Sequence, residues 1–109
     1  MWGICFDINT YPDIYGLVIE YKLFNQDKAF VILPKKSYQL NPKEIKKLPD
    51  PPKYIYGQQV SPCNHPEMIG VISEIGWHFK KNCYYYKIRI KEKLKSKRYF
   101  DTDLNEVKL

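Results

Sequence analysis

Two cysteines and two histidines in the second half of the chain are the residues best suited to hold a metal ion. Cys63, His65, His78 and Cys83 offer the sulfur and nitrogen ligands that zinc prefers. Structural zinc sites bring paired ligands about two to four residues apart. Here only Cys63 and His65 are close, with a single residue between them. We therefore expect no metal site and no stoichiometric zinc.

The same residues do not form a recognisable catalytic centre. No carboxylate or oxyanion-stabilising feature can be assigned beside Cys63 and His65. Phosphate-binding glycine patterns are absent from the sequence, and nothing in it pairs Glu67 with Glu74 as an acid and a base. We expect no catalytic residues, no cofactor and no enzyme activity.

Basic residues recur at every second position near the end of the chain: Lys87, Arg89, Lys91, Lys93, Lys95 and Lys97. On one strand, or on a hairpin turning near Lys93, we expect them to form one basic face. Such a face suits contacts to phosphates. The other interpretation, which we favour slightly, is that lysines on exposed strands prevent aggregation.

Aromatic residues cluster in the same half: Trp77, Phe79, Tyr84, Tyr85, Tyr86 and Tyr99. Rings at one rim could stack on bases or surround a methylated ammonium group. The stronger interpretation is that these rings fill a small hydrophobic core, because aromatic side chains bury the most surface per residue. Tyr85 lies among outward basic residues and is the best candidate for an exposed ring. The candidate binding residues are therefore Trp77, Tyr85, Lys87, Arg89, Lys95 and Lys97.

Composition predicts a small ordered protein of the cytoplasm. Hydrophobic residues make up 44% and aromatic residues 16% of 109 residues, which is enough for a packed core. No apolar run approaches the roughly 18 residues of a membrane span, and residues 1–7 do not resemble a signal peptide. The three cysteines are scattered, as expected for reduced thiols.

The net charge of +6 is uneven, with +2 in residues 1–54 and +4 in residues 55–109. A basic balance favours anionic partners through long-range attraction. Lysine-rich solvated faces are, however, common in soluble proteins. Nucleic acid therefore stays an alternative partner beside protein.

The pattern of apolar residues and turn signals predicts strands joined by short turns. In the first half the predicted strands are 2–8, 15–24, 28–33 and 37–40. Asn41, Pro42 and Glu44 predict one or two helical turns ending near Lys47. The proline-rich residues 48–53 are the candidate linker.

In the second half the predicted strands are 56–61, 68–79, 83–90 and 96–100, followed by a closing turn within residues 101–106. Strand alternation places Tyr84, Tyr86, Ile88 and Ile90 on a core face. The two halves also resemble each other at an offset of 54 residues, which indicates a repeated unit. The identical pairs are Gly3 with Gly57, Pro12 with Pro66, Gly16 with Gly70, and Glu20 with Glu74.

Residues 54–107 resemble an SH3-like or Tudor-type small barrel. The resemblance rests on the Gly-led strand 56–60, the bent strand with Gly70-Val71-Ile72, the hairpin, and the Tyr99-Phe100 pair before an acidic turn. Residues 2–47 resemble it more faintly, and the short last strand before Pro42 predicts an incomplete barrel that the other half completes. Barrels of this type bind peptides, methylated side chains, nucleic acids or proteins, so the resemblance alone does not assign a function.

Together these features predict an all-β protein of two SH3-like small-barrel repeats packed together, with short single-turn helices. The predicted segments are 1–47, the linker 48–53, and 54–109. We expect a non-catalytic intracellular binding or adaptor module that recognises a protein partner, for example an inhibitor or immunity-type protein. The alternative is a nucleic-acid-binding barrel that uses the basic hairpin. The sequence does not determine the oligomeric state.

Overall fold

The computed structural model describes residues 1–107, and strands dominate it. These residues form two five-stranded antiparallel sheets and two single 3-10 turns. The predicted all-β class with short single-turn helices is confirmed. The chain divides into two compact units, Met1–Pro51 and a second unit that begins at Pro52.

Unit 1 contains one sheet with the strand order β4-β3-β2-β1-β5. Each neighbouring pair is antiparallel. Its elements are β1 (Trp2–Cys5), β2 (Val18–Leu23), β3 (Ala29–Leu33), β4 (Gln39–Leu40), the 3-10 turn η1 (Pro42–Glu44) and β5 (Ile45–Lys47).

Unit 2 contains the second sheet, with the order β9-β8-β7-β6-β10. Its elements are β6 (Gln59–Pro62), β7 (Gly70–His78), β8 (Cys83–Ile90), β9 (Lys93–Leu94), the 3-10 turn η2 (Asp101–Asp103) and β10 (Leu104–Glu106). When its strands are counted from its own first strand, unit 2 has the same order as unit 1, and in both units a 3-10 turn precedes the last strand.

The correspondence extends to individual hydrogen bonds. The residue after the first strand donates its N–H to the carbonyl of the last residue in the 3-10 turn. In unit 1 this bond joins Phe6 to Glu44 at 2.7 Å, and in unit 2 it joins Cys63 to Asp103 at 2.9 Å. Equivalent backbone positions are therefore 57 residues apart in the first strand and 59 apart in the turn.

The glycine pairing predicted from the 54-residue offset is wrong. Gly3 lies in β1, whereas Gly57 has a φ of 85° in the turn before β6. Gly16 has a φ of 80° in the turn before β2, whereas Gly70 lies in β7. Each pair thus matches a glycine in a strand with a glycine in a turn. The turn glycines allow a positive φ, whereas glycine in a strand allows close approach of neighbouring groups.

The second strand of each unit contains a register shift. It falls between Glu20 and Tyr21 in β2 and between Ile72 and Glu74 in β7. A bulge bends its strand and increases the local twist. The bend predicted near Gly70 in the long strand of unit 2 is therefore present, and it lies between Ile72 and Glu74.

Each unit buries its own set of apolar side chains. The predicted core face of β8 is buried at Tyr84, Tyr86 and Ile88 and half-buried at Ile90. Around this face the core of unit 2 includes Tyr54, Val60, Ile72, Ile75, Tyr99 and Leu104. The core of unit 1 contains Cys5, Ile14, Ile19, Tyr21, Ala29, Val31, Tyr38 and Leu40.

The sequence analysis did not predict the last strand of either unit. The helical prediction for residues 42–47 is correct only for one turn, because Ile45 returns to extended backbone and pairs with Cys5. Unit 1 therefore has five strands in its own sheet, as unit 2 has, and the last strand is present. In unit 2 the predicted strand 96–100 is reduced to a bridge between Tyr99 and Tyr86, and the last strand is Leu104–Glu106.

Residues of the predicted linker are packed rather than free. Leu48 is buried and its N–H donates to the Trp2 carbonyl at 2.9 Å. At the other end, the Lys53 N–H donates to the Tyr86 hydroxyl at 3.0 Å. Each end of the segment thus belongs to one of the two units.

The Tyr86 hydroxyl joins three parts of unit 2. It accepts the Lys53 N–H and is hydrogen-bonded to the Asp101 carboxylate of η2. The ring of Tyr54 packs edge-on against Tyr86 at 5.4 Å, and the Tyr54 hydroxyl donates to the Leu104 carbonyl at 2.9 Å. Burial, followed by the Asp101 carboxylate, raises the pKa of Tyr86 above its ordinary value, so the phenol stays neutral and can donate.

We predict that Tyr86→Phe destabilises the protein by about 1–3 kcal/mol, because the Lys53 N–H and Asp101 each lose a buried partner. Urea unfolding followed by circular dichroism measures the change. Tyr15→Phe is the control, since Tyr15 is exposed. Equal stability of the two variants would contradict this role for the Tyr86 hydroxyl.

Candidate functional site

The predicted binding residues of β7 and β8 lie on two opposite faces of the hairpin. Trp77 pairs with Tyr84, and their rings meet edge-on at 5.0 Å on the core side. Tyr85 pairs with Gly76 on the other side. Trp77 therefore does not share a surface with Tyr85, although both were predicted to bind one partner.

The ring of Tyr85 is half-buried rather than freely exposed. A Cβ atom added to Gly76 would lie 2.1 Å from Tyr85 Cζ, so the ring lies directly across the glycine. The Arg98 guanidinium carbon lies 4.7 Å from the ring centroid. A base could stack on this ring only by displacing Arg98.

The predicted basic ladder does not form one face. The turn at Lys91 and Glu92, both with positive φ, reverses the chain within two residues. As a result Leu94 lies opposite Arg89, and Lys93 lies opposite Ile90. Because directly paired residues point to the same side of a sheet, Lys93 is on the opposite face from Arg89.

Several of the predicted basic residues already have partners within unit 2. Lys87 forms an ion pair with Glu74 at 3.9 Å, and the Arg89 Nη1 donates to the Glu92 carbonyl at 3.0 Å. Lys97 places its ammonium 5.0 Å from the Tyr99 ring. Lys95 is half-buried. That these residues bind a partner stays a prediction.

The sulfur and imidazole groups make local contacts. The Cys63 thiol donates to the Thr102 carbonyl at 3.4 Å, and His78 Nδ1 accepts the Lys81 N–H at 3.1 Å. Among the residues that the structure describes, no group of three or more His, Cys, Asp or Glu side chains is placed to hold a metal ion. The expectation of a zinc-free protein stays a prediction.

Unit 1 presents an apolar surface that the sequence reasoning missed. Along β3, Ala29 and Val31 are buried, so Phe30 and Ile32 point outward and are 42% and 46% exposed. Phe24, 68% exposed, packs edge-on against Phe30 at 5.8 Å. We call Phe24, Phe30 and Ile32 the β2–β3 apolar surface; Leu23 is also exposed but pairs with Ala29 and so lies toward the opposite face. Clusters of this kind mark interaction sites on soluble proteins.

A cavity of about 460 Å³ lies beside this surface and shares Phe30 with it. We call it the Tyr11–Phe30 pocket. Its aromatic and apolar lining is accompanied by an ammonium, a hydroxyl and an amide group. The lining residues are Tyr11, Phe30, Val31, Lys36, Ser37, Tyr38 and Gln39.

The wall of the pocket is held in place by a buried tyrosine. The Tyr38 hydroxyl donates to Asp13 Oδ2 at 2.5 Å, which fastens the β1–β2 loop to the segment before β4. The rings of Tyr11 and Tyr38 meet edge-on at 5.0 Å. The Tyr11 hydroxyl accepts the Gln39 N–H of β4 at 3.3 Å. The pocket is therefore preformed, which lowers the entropic cost of binding.

Little in the sequence indicates this site. Residues 29–33 are apolar without interruption, so their pattern predicts a strand but does not tell which face is buried. Only the pairing of Ala29 with Leu40 and Tyr21 with Val31 reveals that Phe30 and Ile32 point outward. An uninterrupted apolar run in a chain this small was the one available hint.

Comparison with known proteins assigns a family. A family of unknown function, DUF6960, matches residues 14–105. The chain belongs to this family. The match extends from the β1–β2 loop of unit 1 into β10 of unit 2, so it covers most of both units but not β1. No curated protein and no solved structure matches the chain. No helix within residues 1–107 is long and apolar enough to cross a membrane.

Tyr38 predicts how unit 1 responds to alkali. Burial, followed by the hydrogen bond to Asp13, raises the pKa of Tyr38 from 10.0 to about 12. Because the folded state holds this proton more tightly than the unfolded state, the protonated Tyr38 hydroxyl adds to the free energy of unfolding. This stabilisation is complete below pH 10 and is lost as the pH rises through about 12.

We therefore predict that stability falls between pH 10 and about 12, and that Tyr38→Phe makes this fall less steep. Thermal unfolding followed across that range measures both slopes, with the exposed Tyr15→Phe as control. An unchanged slope in Tyr38→Phe would contradict the assignment.

Proposed function

We propose that this protein is a non-catalytic binding module that recognises a protein partner, and that its two units are copies of one SH3-like small barrel. The shared strand order and the 3-10 turn before each last strand support the second part. We also propose a cytoplasmic location, which the three free cysteines support.

The observation that carries the function is the outward position of Phe24, Phe30 and Ile32 beside a preformed pocket. The solvated face of an antiparallel sheet is ordinarily polar. Exposed aromatic and aliphatic side chains cost solubility unless a partner covers them. Protein interfaces are enriched in aromatic anchors that fill pockets on the partner.

We predict that Phe24→Ser with Phe30→Ser lowers retention of protein partners by at least about tenfold, because both rings lose their buried contacts in the complex. The measurement is quantitative capture from native lysate after nuclease treatment, which removes partners bound through nucleic acid. Both residues are exposed, so the variant should unfold at the wild-type temperature.

The matched control is Ile55→Ser with Ile69→Ser, which removes two exposed apolar side chains from unit 2. This variant should retain the wild-type set of partners. If the control and the Phe24/Phe30 variant lose partners equally, or neither loses any, the β2–β3 apolar surface is not the binding site.

Nucleic-acid binding is the second candidate, and one observation favours it. Residues 87–98 contain seven basic residues and one acid. Within this segment Arg89, Lys93, Lys97 and Arg98 are exposed. We rank it second because the candidate stacking ring, Tyr85, is covered by Arg98.

If nucleic acid is the partner, Arg89→Ala with Lys97→Ala should reduce the salt dependence of binding by about one unit of slope per lost phosphate contact. Titration of single- and double-stranded oligonucleotides at two salt concentrations measures this slope. Micromolar, salt-sensitive binding that the double variant loses would replace protein recognition as the leading function. We expect no such binding.

A further inference from the structure

Lysines surround the β2–β3 apolar surface and its pocket. Residues 22–39 contain Lys22, Lys28, Lys35 and Lys36 but only one acid, Asp27. All four lysines are exposed, and none of them forms an ion pair within residues 1–107. The surface is thus both apolar and positively charged.

Three of these lysines are placed by the fold next to the aromatic rings. Lys22 pairs directly with Phe30 across β2 and β3, so both point to the same side. Lys28 closes the hairpin tip, where its carbonyl accepts the Phe24 N–H at 2.9 Å. Lys36 lines the Tyr11–Phe30 pocket.

We propose that the partner presents an acidic, apolar segment: one large apolar side chain enters the Tyr11–Phe30 pocket, and carboxylates on either side of it meet Lys22, Lys28, Lys35 and Lys36. This inference rests on the proposed function and adds the chemistry of the partner. The pocket volume of about 460 Å³ is sufficient for a large side chain. The unpaired ammonium groups supply charge complementarity, which gives specificity and speeds association.

Two other occupants fit these residues less well. A second copy of the chain in a two-fold dimer would place the same lysine-rimmed surface against itself, so like charges would meet. Nucleic acid would satisfy the lysines and could stack on Phe24, but Ile32 is aliphatic and gives a base no ring.

The test is selection of random peptides of about twelve residues displayed on phage, with the wild-type protein as bait and the F24S/F30S variant for counter-selection. We expect enriched peptides to contain Asp or Glu on both sides of a large apolar residue. A synthetic enriched peptide should bind Lys35→Glu with Lys36→Glu at least about tenfold more weakly than wild type.

Two controls separate the effect of the local lysines on peptide affinity from the effect of the protein's net charge. Lys91→Glu with Lys93→Glu in unit 2 changes the net charge by the same amount and should leave peptide affinity within about twofold of wild type. A peptide whose acids are replaced by lysine should lose binding to wild type and recover it with the Lys35/Lys36 variant. Failure of that recovery would overturn the proposed charge contact.

The remaining outcomes distinguish this inference from the proposed function. Peptides that depend on Phe30 but carry no excess of acid would overturn the acidic segment and leave protein recognition intact. No enrichment over the counter-selection would overturn both. Sedimentation showing self-association that F24S/F30S abolishes, or oligonucleotide binding that it abolishes, would assign the surface to a second copy or to nucleic acid instead.

Discussion

The two-residue period of the β-strand decides which side chains of each sheet face the core and which face solvent. Because Ala29 and Val31 are buried in the core of unit 1, the alternating side chains of Phe30 and Ile32 point outward. In unit 2 the same alternation keeps the basic residues from forming a single surface. The two-residue turn at Lys91 and Glu92 fixes the pairing of β8 with β9 and divides the basic residues between two faces.

Tyrosine hydroxyls hold each unit's irregular segments to its sheet. Tyr38 fastens the β1–β2 loop of unit 1 through Asp13, and Tyr86 joins Lys53 and Asp101 in unit 2. Such bonds add to the sheet at its edges, because β4 and β9 have only two residues each and contribute few ladder hydrogen bonds. The preformed wall of the pocket is a direct consequence of the Tyr38 bond.

The sequence predicts the longer strands well and the short ones poorly. Residues 83–90 alternate clearly and match β8 at both ends. β5 and β10 have three residues each. The sequence predicts turns at these places, from Asn41 and Pro42 in unit 1 and within residues 101–106 in unit 2. Only pairing with the first strand of each unit makes these residues strands. The glycine pairing failed because equivalent positions lie 57 residues apart at the first strand and 59 apart in the 3-10 turn, so an offset of 54 matches neither. The sequence does not predict the β2–β3 apolar surface, because an uninterrupted apolar strand does not show which of its two faces is buried.

Chemical-shift mapping would show directly whether the outer face of β2 and β3 recognises a protein segment. The amide spectrum of the labelled protein would be recorded with and without a saturating selected peptide. We expect the shift changes to cluster in residues 22–24, 28–32 and 35–39 and the signals of residues 85–98 to keep their positions. Shifts concentrated in residues 85–98, with the β2–β3 apolar surface unchanged, would contradict it.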